Sequence, residues 1–390
     1  LVTPHLVYSN HPTWEELADW YGRHVEPRLR TSVEVAERAV ALVEGVDDRL
    51  QRIARIYRFV TDEIRYVGLE FGEHRFRPFS ADWVLEHQIG DCKDTAALLV
   101  AALDAVGIPA RMAMIRTADL GPLGSDLAVL EAFNHAIAYL PEDDLWLDGT
   151  AAGHAPFPPP PLDQGAVALV VDPRGATLQT TPSPGAGVAR VQLRVEREKE
   201  AAGRLRLSLR TEDTGAAADR RRAALTGGEP HLQLSRRLQR MFPGADVDGP
   251  PRIESRPGRD PVVVEIDATV GVVAVRGVGG VPTFPGDPET WLGDVPAPDR
   301  RGALVMVAAP DLVWTVDVDL GREPRRVPAD VDLVTRFGFV RIEHRRTSDG
   351  YRVEGTAHLS PGVVSAGDAP ELHAFLAAAG RHLQRPLEAP

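Results

Sequence analysis

The segment from Gly90 to Pro109 constrains this chain more than any other, because it specifies both ends of one helix and places the only cysteine of 390 residues in its first turn. Asp91 is suited to be the N-cap, its carboxylate accepting from free amides of the first turn, and Asp94 adds a second negative charge there. Gly107 and Pro109 supply a left-handed terminator and a helix breaker. Between them Cys92, Ala96, Leu99, Leu103 and Val106 recur at steps of three and four, an apolar stripe that turns the sulfur toward the protein. At a helix start the thiol meets the positive end of the macrodipole and nearby N–H donors, which favour thiolate. Lys93 is a cation where a helix start prefers anions. It either strengthens the field at the sulfur or points to water, and water is the plainer expectation.

Two short segments downstream complete a reactive set. Residues 132–140 and 145–150 read as strands joined by Pro141-Glu142-Asp143-Asp144, a turn cluster between apolar runs. If Leu140 pairs with Leu145, His135 opposes Thr150 and Asp148 opposes Ile137. His135 and Asp148 then project from one face as diagonal neighbours, about 7 Å apart at the backbone and within side-chain reach of each other. A slip of one residue would put them on opposite faces.

The order Cys, His, Asp suits acyl transfer. Cys92 would attack a carbonyl carbon, His135 would take up the thiol proton and deliver it to the leaving amine, and Asp148 would fix the imidazole tautomer. The Cys92 amide is a natural oxyanion donor. A second donor is not identified; Gln88 and Tyr66 are weak candidates.

Gly90-Asp91-Cys92-Lys93-Asp94 with its Ala/Leu-rich helix and Gly107-Ile108-Pro109, then Asn134-His135-Ala136, then Trp146-Leu147-Asp148-Gly149-Thr150, resembles the transglutaminase-like core, in particular its bacterial GDCKD subgroup. The resemblance spans roughly residues 45–180. It implies an α+β, papain-like core, a helix bundle packed on an antiparallel sheet, with a Cys92-His135-Asp148 triad. It also implies acyl transfer from amide groups of proteins or peptides through a thioester acyl-enzyme. Two alternatives stay open: a cysteine peptidase or amidase with water as acceptor, and a non-catalytic binding module that keeps the triad. Many bacterial relatives are extracytoplasmic, which makes export an expectation here. Relatives also often carry a β-rich domain before the core, where this chain has a short helical lead-in. Its start at Leu1, without methionine or a signal-like stretch, fits a processed or truncated product.

The rest of the chain frames this core. A formal charge of 44 minus 56, or −12, argues against nucleic-acid or anionic-membrane partners. A single cysteine excludes an internal disulfide, no Cys/His grouping has zinc spacing, no calcium loop is present, and no cofactor is implied. No apolar run approaches the ~20 residues that span a bilayer. The expected organisation is a helical lead-in at 1–44, the catalytic core at 45–185 and a β-rich α+β region at 186–390. Helices are expected at 13–24, at 31–43 with Val33, Ala36, Val40 and Val43 inward, and from Asp47 or Asp48 with Leu50, Ile53, Ile56, Tyr57, Val60 and Ile64 as its stripe. The loop at 67–80 reads as solvated, His74, His87 and His154 as loop or surface residues, and 158–161 as a stiff extended connection.

Beyond a Pro/Gly break at 182–187 the region expects strands at 188–196, 204–210, 262–270, 272–275, 303–307 and 312–318. A hairpin at 339–345 and 351–359 and helices at 214–225, 230–242 and 370–383 follow. Arg220, Arg221, Arg222, Arg236, Arg237 and Arg240 are expected on solvated helix faces. This half holds no catalytic constellation and reads as an α+β or sandwich-like module for positioning or partner binding.

Overall fold

The computed structural model describes residues 7–68, 71–123, 127–172, 177–183, 185–198, 201, 203–226, 230–256, 259–277, 280–286, 288–293, 295–324 and 326–387. The chain divides into two compact units, Leu1–Pro184 and Gly185–Pro390.

In the first unit three amphipathic helices come first: α1 (Trp14–Val25), α2 (Val33–Val43) and α3 (Arg49–Glu63). Each has a side-chain N-cap, from Thr13, Ser32 and Asp48 respectively. The face of α2 differs from the expected one. Val35, Ala39 and Val43 are buried, whereas Val33 and Val40 are exposed. The i, i+4, i+8 row turns inward because it packs on α3 and on the cysteine helix, and the sequence offers valines on both rows. Leu50 is likewise exposed, while Ile53, Ile56, Tyr57, Val60 and Ile64 are buried as the stripe requires.

A short parallel pair, β1 (Arg65–Tyr66) with β2 (Ile89–Gly90), brackets α4 (Ala81–His87), a helix the sequence reading did not anticipate. Helix α5 (Cys92–Ala105) follows at once, and every residue from Lys93 to Leu103 is buried. It is therefore the unit's central helix rather than one with a polar outer face, which its Ala-rich composition permits. An antiparallel sheet in the order β5-β4-β3-β6-β7 packs on it: β3 (Arg111–Arg116), β4 (His135–Leu140), β5 (Leu145–Leu147), β6 (Val167–Val171) and β7 (Thr177–Thr180). The lead-in helices are integral to the same core: Leu17, Ala18, Tyr21 and Val25 cluster with Ala96, Ala97, Met112 and Leu169.

The second unit is built on one nine-stranded sheet, not on two stacked sheets. Its long strands include Val188–Arg197, Arg204–Asp213, Arg259–Gly271, Asp311–Asp319, Gly338–Arg346 and Gly350–Leu359. All pairings are antiparallel except Asp311–Asp319 with Val188–Arg197. Alternating apolar residues such as Leu193, Leu207, Ile266, Val316 and Val353 share one core with Leu238 and Phe242 and with Leu372, Phe375 and Leu383 of helix Ala369–Leu383. The face opposite carries paired charges, among them Arg210 with Glu265 and Arg352 with Asp317. A sandwich is thus ruled out by helices doing the covering.

Two further expectations fail here. Residues 272–275 belong to a helix, Val272–Gly277, not to a strand. Arg221 and Arg222 are not on a solvated face: Arg222 is buried beside Asp219, and Arg221 pairs with the buried Asp213 at 2.7 Å. Both aspartates are out of solvent, and a buried carboxylate draws in its counter-charge.

Candidate active site

Helix α5 presents Cys92 through a closed cap. Asp91 accepts from the Lys93 amide at 3.2 Å and the Asp94 amide at 3.4 Å, and Asp94 returns a bond to the Asp91 amide at 2.9 Å, which completes a capping box. The other oxygen of Asp94 accepts from the Phe79 amide at 2.8 Å, tying the preceding loop to the helix start. Burial pushes the Asp94 carboxyl up, against the pull of those two amides and Lys93. Lys93 does not point to water. It is buried and paired with Asp91, which is wholly enclosed. The cap consumes the amides of Lys93 and Asp94 and leaves that of Cys92 to other uses.

The hairpin has the register the sequence predicts, with Leu140 opposite Leu145 and Ala138 opposite Leu147. Strand β5 stops at Leu147, however, and Asp148 begins a turn in which its Oδ1 accepts from the Thr150 amide at 2.8 Å and from the Thr150 hydroxyl at 2.7 Å. His135 Nε2 lies 3.2 Å from the same oxygen. The Cys92 thiol lies close enough to the imidazole to help raise its pKa, so the sulfur, His135 and Asp148 share one neighbourhood. Burial disfavours the imidazolium, but the bond to Asp148, the Cys92 thiol and the charges of Asp148 and Asp163 together raise His135 well above its ordinary value. Burial also works to raise Asp148. The His135 bond and charge, then Thr150, outweigh it and hold the carboxyl below its ordinary value.

Gly149 lets the turn lie directly on α5. A Cβ there would sit 2.8 Å from Thr95 Cβ and 3.1 Å from Leu99 Cδ1, so no larger residue fits without moving the helix. Just before His135, Asn134 accepts from the Thr117 amide at 3.0 Å and donates to the Thr117 hydroxyl at 2.7 Å. Arg116 caps the carbonyls of Leu120, Gly121 and Ala132. The segment between β3 and β4 is clamped at both ends by these bonds.

Two residues near the site were not legible from spacing. Tyr21 of α1 is fully buried and donates to the Phe76 carbonyl at 2.8 Å; burial, then the charges of Cys92, Asp91 and Asp94, push its phenol pKa up and keep it neutral. Asp163, in the turn Pro161–Asp163, is buried beside Asp148, and its Oδ2 has no hydrogen-bond donor. His135, Asp148 and Asp163 bring one polar atom each to within 4.8 Å of the others, and the group holds one imidazole and two carboxyls. The connection expected at 158–161 thus delivers a carboxyl to the site. A lone aspartate after a proline run carries no periodic signal that would have exposed it.

Of the weaker candidates, Gln88 ends α4 in a left-handed conformation with its side chain exposed, and Tyr66 is exposed on β1. His74 and His87 bond to the carbonyls of Arg77 and Trp83, as loop and surface histidines do. A cleft of about 740 Å³ is lined in part by His11, Leu17, Trp20, Phe76, Arg116 and Leu130. Cys92 and His135 do not line it. Leu17, Trp20, Phe76 and Leu130 nevertheless belong to the apolar cluster against which Cys92 packs.

A helix bundle on an antiparallel sheet, with the thiol at the start of the central helix, is the architecture of papain-like transglutaminase cores. Residues 36–147 match the family described as the Transglutaminase-like superfamily, so this stretch is a transglutaminase-like core. The match ends one residue before Asp148. A solved structure from Parabacteroides distasonis, described as a "putative protease", shares the fold with a TM-score of 0.53 at 11% identity, over 94% of this chain and 56% of that one. The chain therefore spans little more than half the length of that protein. A structure from Cytophaga hutchinsonii described as a "putative cysteine protease" overlaps at a TM-score of 0.25 and 20% identity, over 32% of this chain and 42% of that one, too little to bear on the fold. No curated protein matches the chain.

Proposed function

We propose that the first unit is a cysteine acyltransferase acting on amide groups of proteins or peptides, with Cys92 as nucleophile, His135 as proton carrier and Asp148 as its orienting carboxylate. The observation that carries this reading is His135 Nε2 at 3.2 Å from Asp148 Oδ1, with the Cys92 thiol near enough to act on the same imidazole. In the first half-reaction the sulfur bonds to the amide carbon while its proton resides on His135. The tetrahedral oxyanion meets the Cys92 amide at the helix start, the C–N bond breaks, and His135 protonates the departing nitrogen. In the second, an amine or water attacks the thioester, His135 takes its proton, the S–C bond breaks and the proton returns to sulfur. Both acceptors share every step up to the thioester. Hydrolysis is the second reading, because Cys92 and His135 are each only partly buried and water can reach the thioester.

The test is intact-mass analysis with a glutamine peptide in H₂¹⁸O, with and without a labelled primary amine. An acyl adduct on Cys92 is expected in wild type and lost in Cys92→Ala. Amine conjugate identifies transfer, and ¹⁸O in the released acid or cleaved backbone identifies hydrolysis. A thiol whose alkylation rate has the same pH dependence in wild type and His135→Ala refutes the triad.

A further inference from the structure

The carboxyl of Asp163 is almost wholly enclosed, at 2% exposure, and brings an oxygen to within 4.8 Å of one of Asp148. Its position is fixed by its backbone. The Thr181 hydroxyl donates to the Asp163 carbonyl and accepts from the Ala166 amide at 2.9 Å, while Gln164 donates to the Pro159 carbonyl at 2.8 Å. Asp163 Oδ2 is thus pressed into a place with no donor. Two buried carboxyls this close strongly disfavour a second negative charge, so one of them holds its proton. Their surroundings decide which is neutral. Asp148 Oδ1 collects Thr150 N, Thr150 Oγ1 and His135 Nε2, which favour its anion, whereas Asp163 has no such set. The oxygen of Asp148 left over by those three bonds, Oδ2, is available to accept.

We propose that Asp163 is a positioning residue of this site: it carries a proton, donates a hydrogen bond to Asp148, and so fixes the carboxylate that orients His135. Its role rests on the triad reading above, but the location of the proton does not. The ionisable groups that act on it are Asp148 and His135 on the hairpin; the turn Ala118–Leu120 also packs on its element, and the carboxylate of Asp119 there accepts from the Thr117 hydroxyl. Burial, and then the charge of Asp148, push the Asp163 carboxyl up to about 8, with His135 pulling the other way. The folded chain therefore keeps a proton that the unfolded chain gives up above the ordinary carboxyl value of 3.8. Stability falls as pH climbs from there and levels off above about 8.

The experiment compares wild type, Asp163→Asn and Asp163→Ala in the full chain by thermal unfolding and by the rate of Cys92 alkylation with iodoacetamide. Asn is permanently neutral and keeps a donor; Ala has none. The Tm of Asp163→Asn minus that of wild type is expected to grow between about pH 4 and 8 and then stay flat. Asp163→Ala is expected to lose about tenfold in alkylation rate at pH 7, the worth of one such hydrogen bond, and Asp163→Asn to recover most of it. A Tm difference that does not vary with pH overturns the proton on Asp163. So does stabilisation of wild type by zinc, reversed by EDTA and absent in Asp163→Asn, since a cation would then join the carboxyls. Equal alkylation in the Ala and Asn variants overturns the positioning role. The control is His135→Ala. If its thiol reacts with the wild-type pH dependence the triad fails, and the Tm comparison still decides where the proton sits.

Discussion

Replacing Asp94 by alanine should separate the loop before α4 from the helix that carries Cys92. In the native protein one carboxylate holds two amides, those of Asp91 at 2.9 Å and Phe79 at 2.8 Å, in a place without solvent. A hydrogen bond to a charged group contributes about 1.5–3 kcal/mol, and an amide left buried without a partner costs a similar amount. Burying the carboxyl is itself unfavourable and offsets part of this. A net loss of about 3–5 kcal/mol follows, which for a unit of this size lowers Tm by roughly 6–20 °C. The damage should be local first. Hydrogen exchange followed by mass spectrometry should show the Phe79 and Asp91 amides exchanging faster, while strand β3 keeps its protection until the unit unfolds. A Tm shift below about 2 °C with unchanged exchange at these two amides would refute the reasoning, since bonds of this kind cannot be lost so cheaply.

Two further outcomes follow from the geometry. Gly149→Ala forces a methyl against Thr95 and Leu99, costs about 1–3 kcal/mol, and should lower kcat by about 100-fold with a smaller change in KM, because it shifts Asp148 relative to Cys92; steady-state kinetics with a glutamine peptide would show it. The His135–Asp148 pair should stabilise most between the ordinary carboxyl and imidazole values, 3.8 and 6.5. Asp148 is depressed, so its contribution is present above 3.8 and lost as pH falls through its folded value; His135 is raised, so its contribution is present below 6.5 and lost as pH rises through its folded value. Urea midpoints of wild type minus His135→Gln should therefore peak in that window, and a flat difference would contradict the assignment.

Much of the site could be read from local chemistry. Asp91, Asp94 and Gly107 mark the ends of α5 through capping rules that act within one turn, and the turn cluster at 141–144 fixes the hairpin register that puts His135 and Asp148 together. What the sequence did not reveal depends on partners distant in the chain. The inward row of α2 was ambiguous because valines occupy both candidate faces and only packing on α3 and α5 chooses between them. Lys93 looked like a surface cation because its short-range signal is a violation; its burial depends on the closure of the bundle around Asp91. Residues 272–275 have the β-branched composition of a strand and sit in a helix, a tertiary override of weak propensity. Asp163 reaches the hairpin from a separate proline-rich arm, and no pattern in its own neighbourhood announces the contact.

The clamped segment between β3 and β4 has a consequence for how specificity can change in this scaffold. Arg116, by bonds to carbonyls, and Asn134, by bonds to the Thr117 amide and hydroxyl, hold its two stems, and the second stem runs straight into the histidine. Exposed positions between the stems, such as Pro122 and Glu131, can then be exchanged while the imidazole keeps its aim, whereas Ala128 and Leu130 are buried in the cluster that packs on Cys92. A library confined to those exposed positions would vary the surroundings of the histidine without re-solving the problem of alignment.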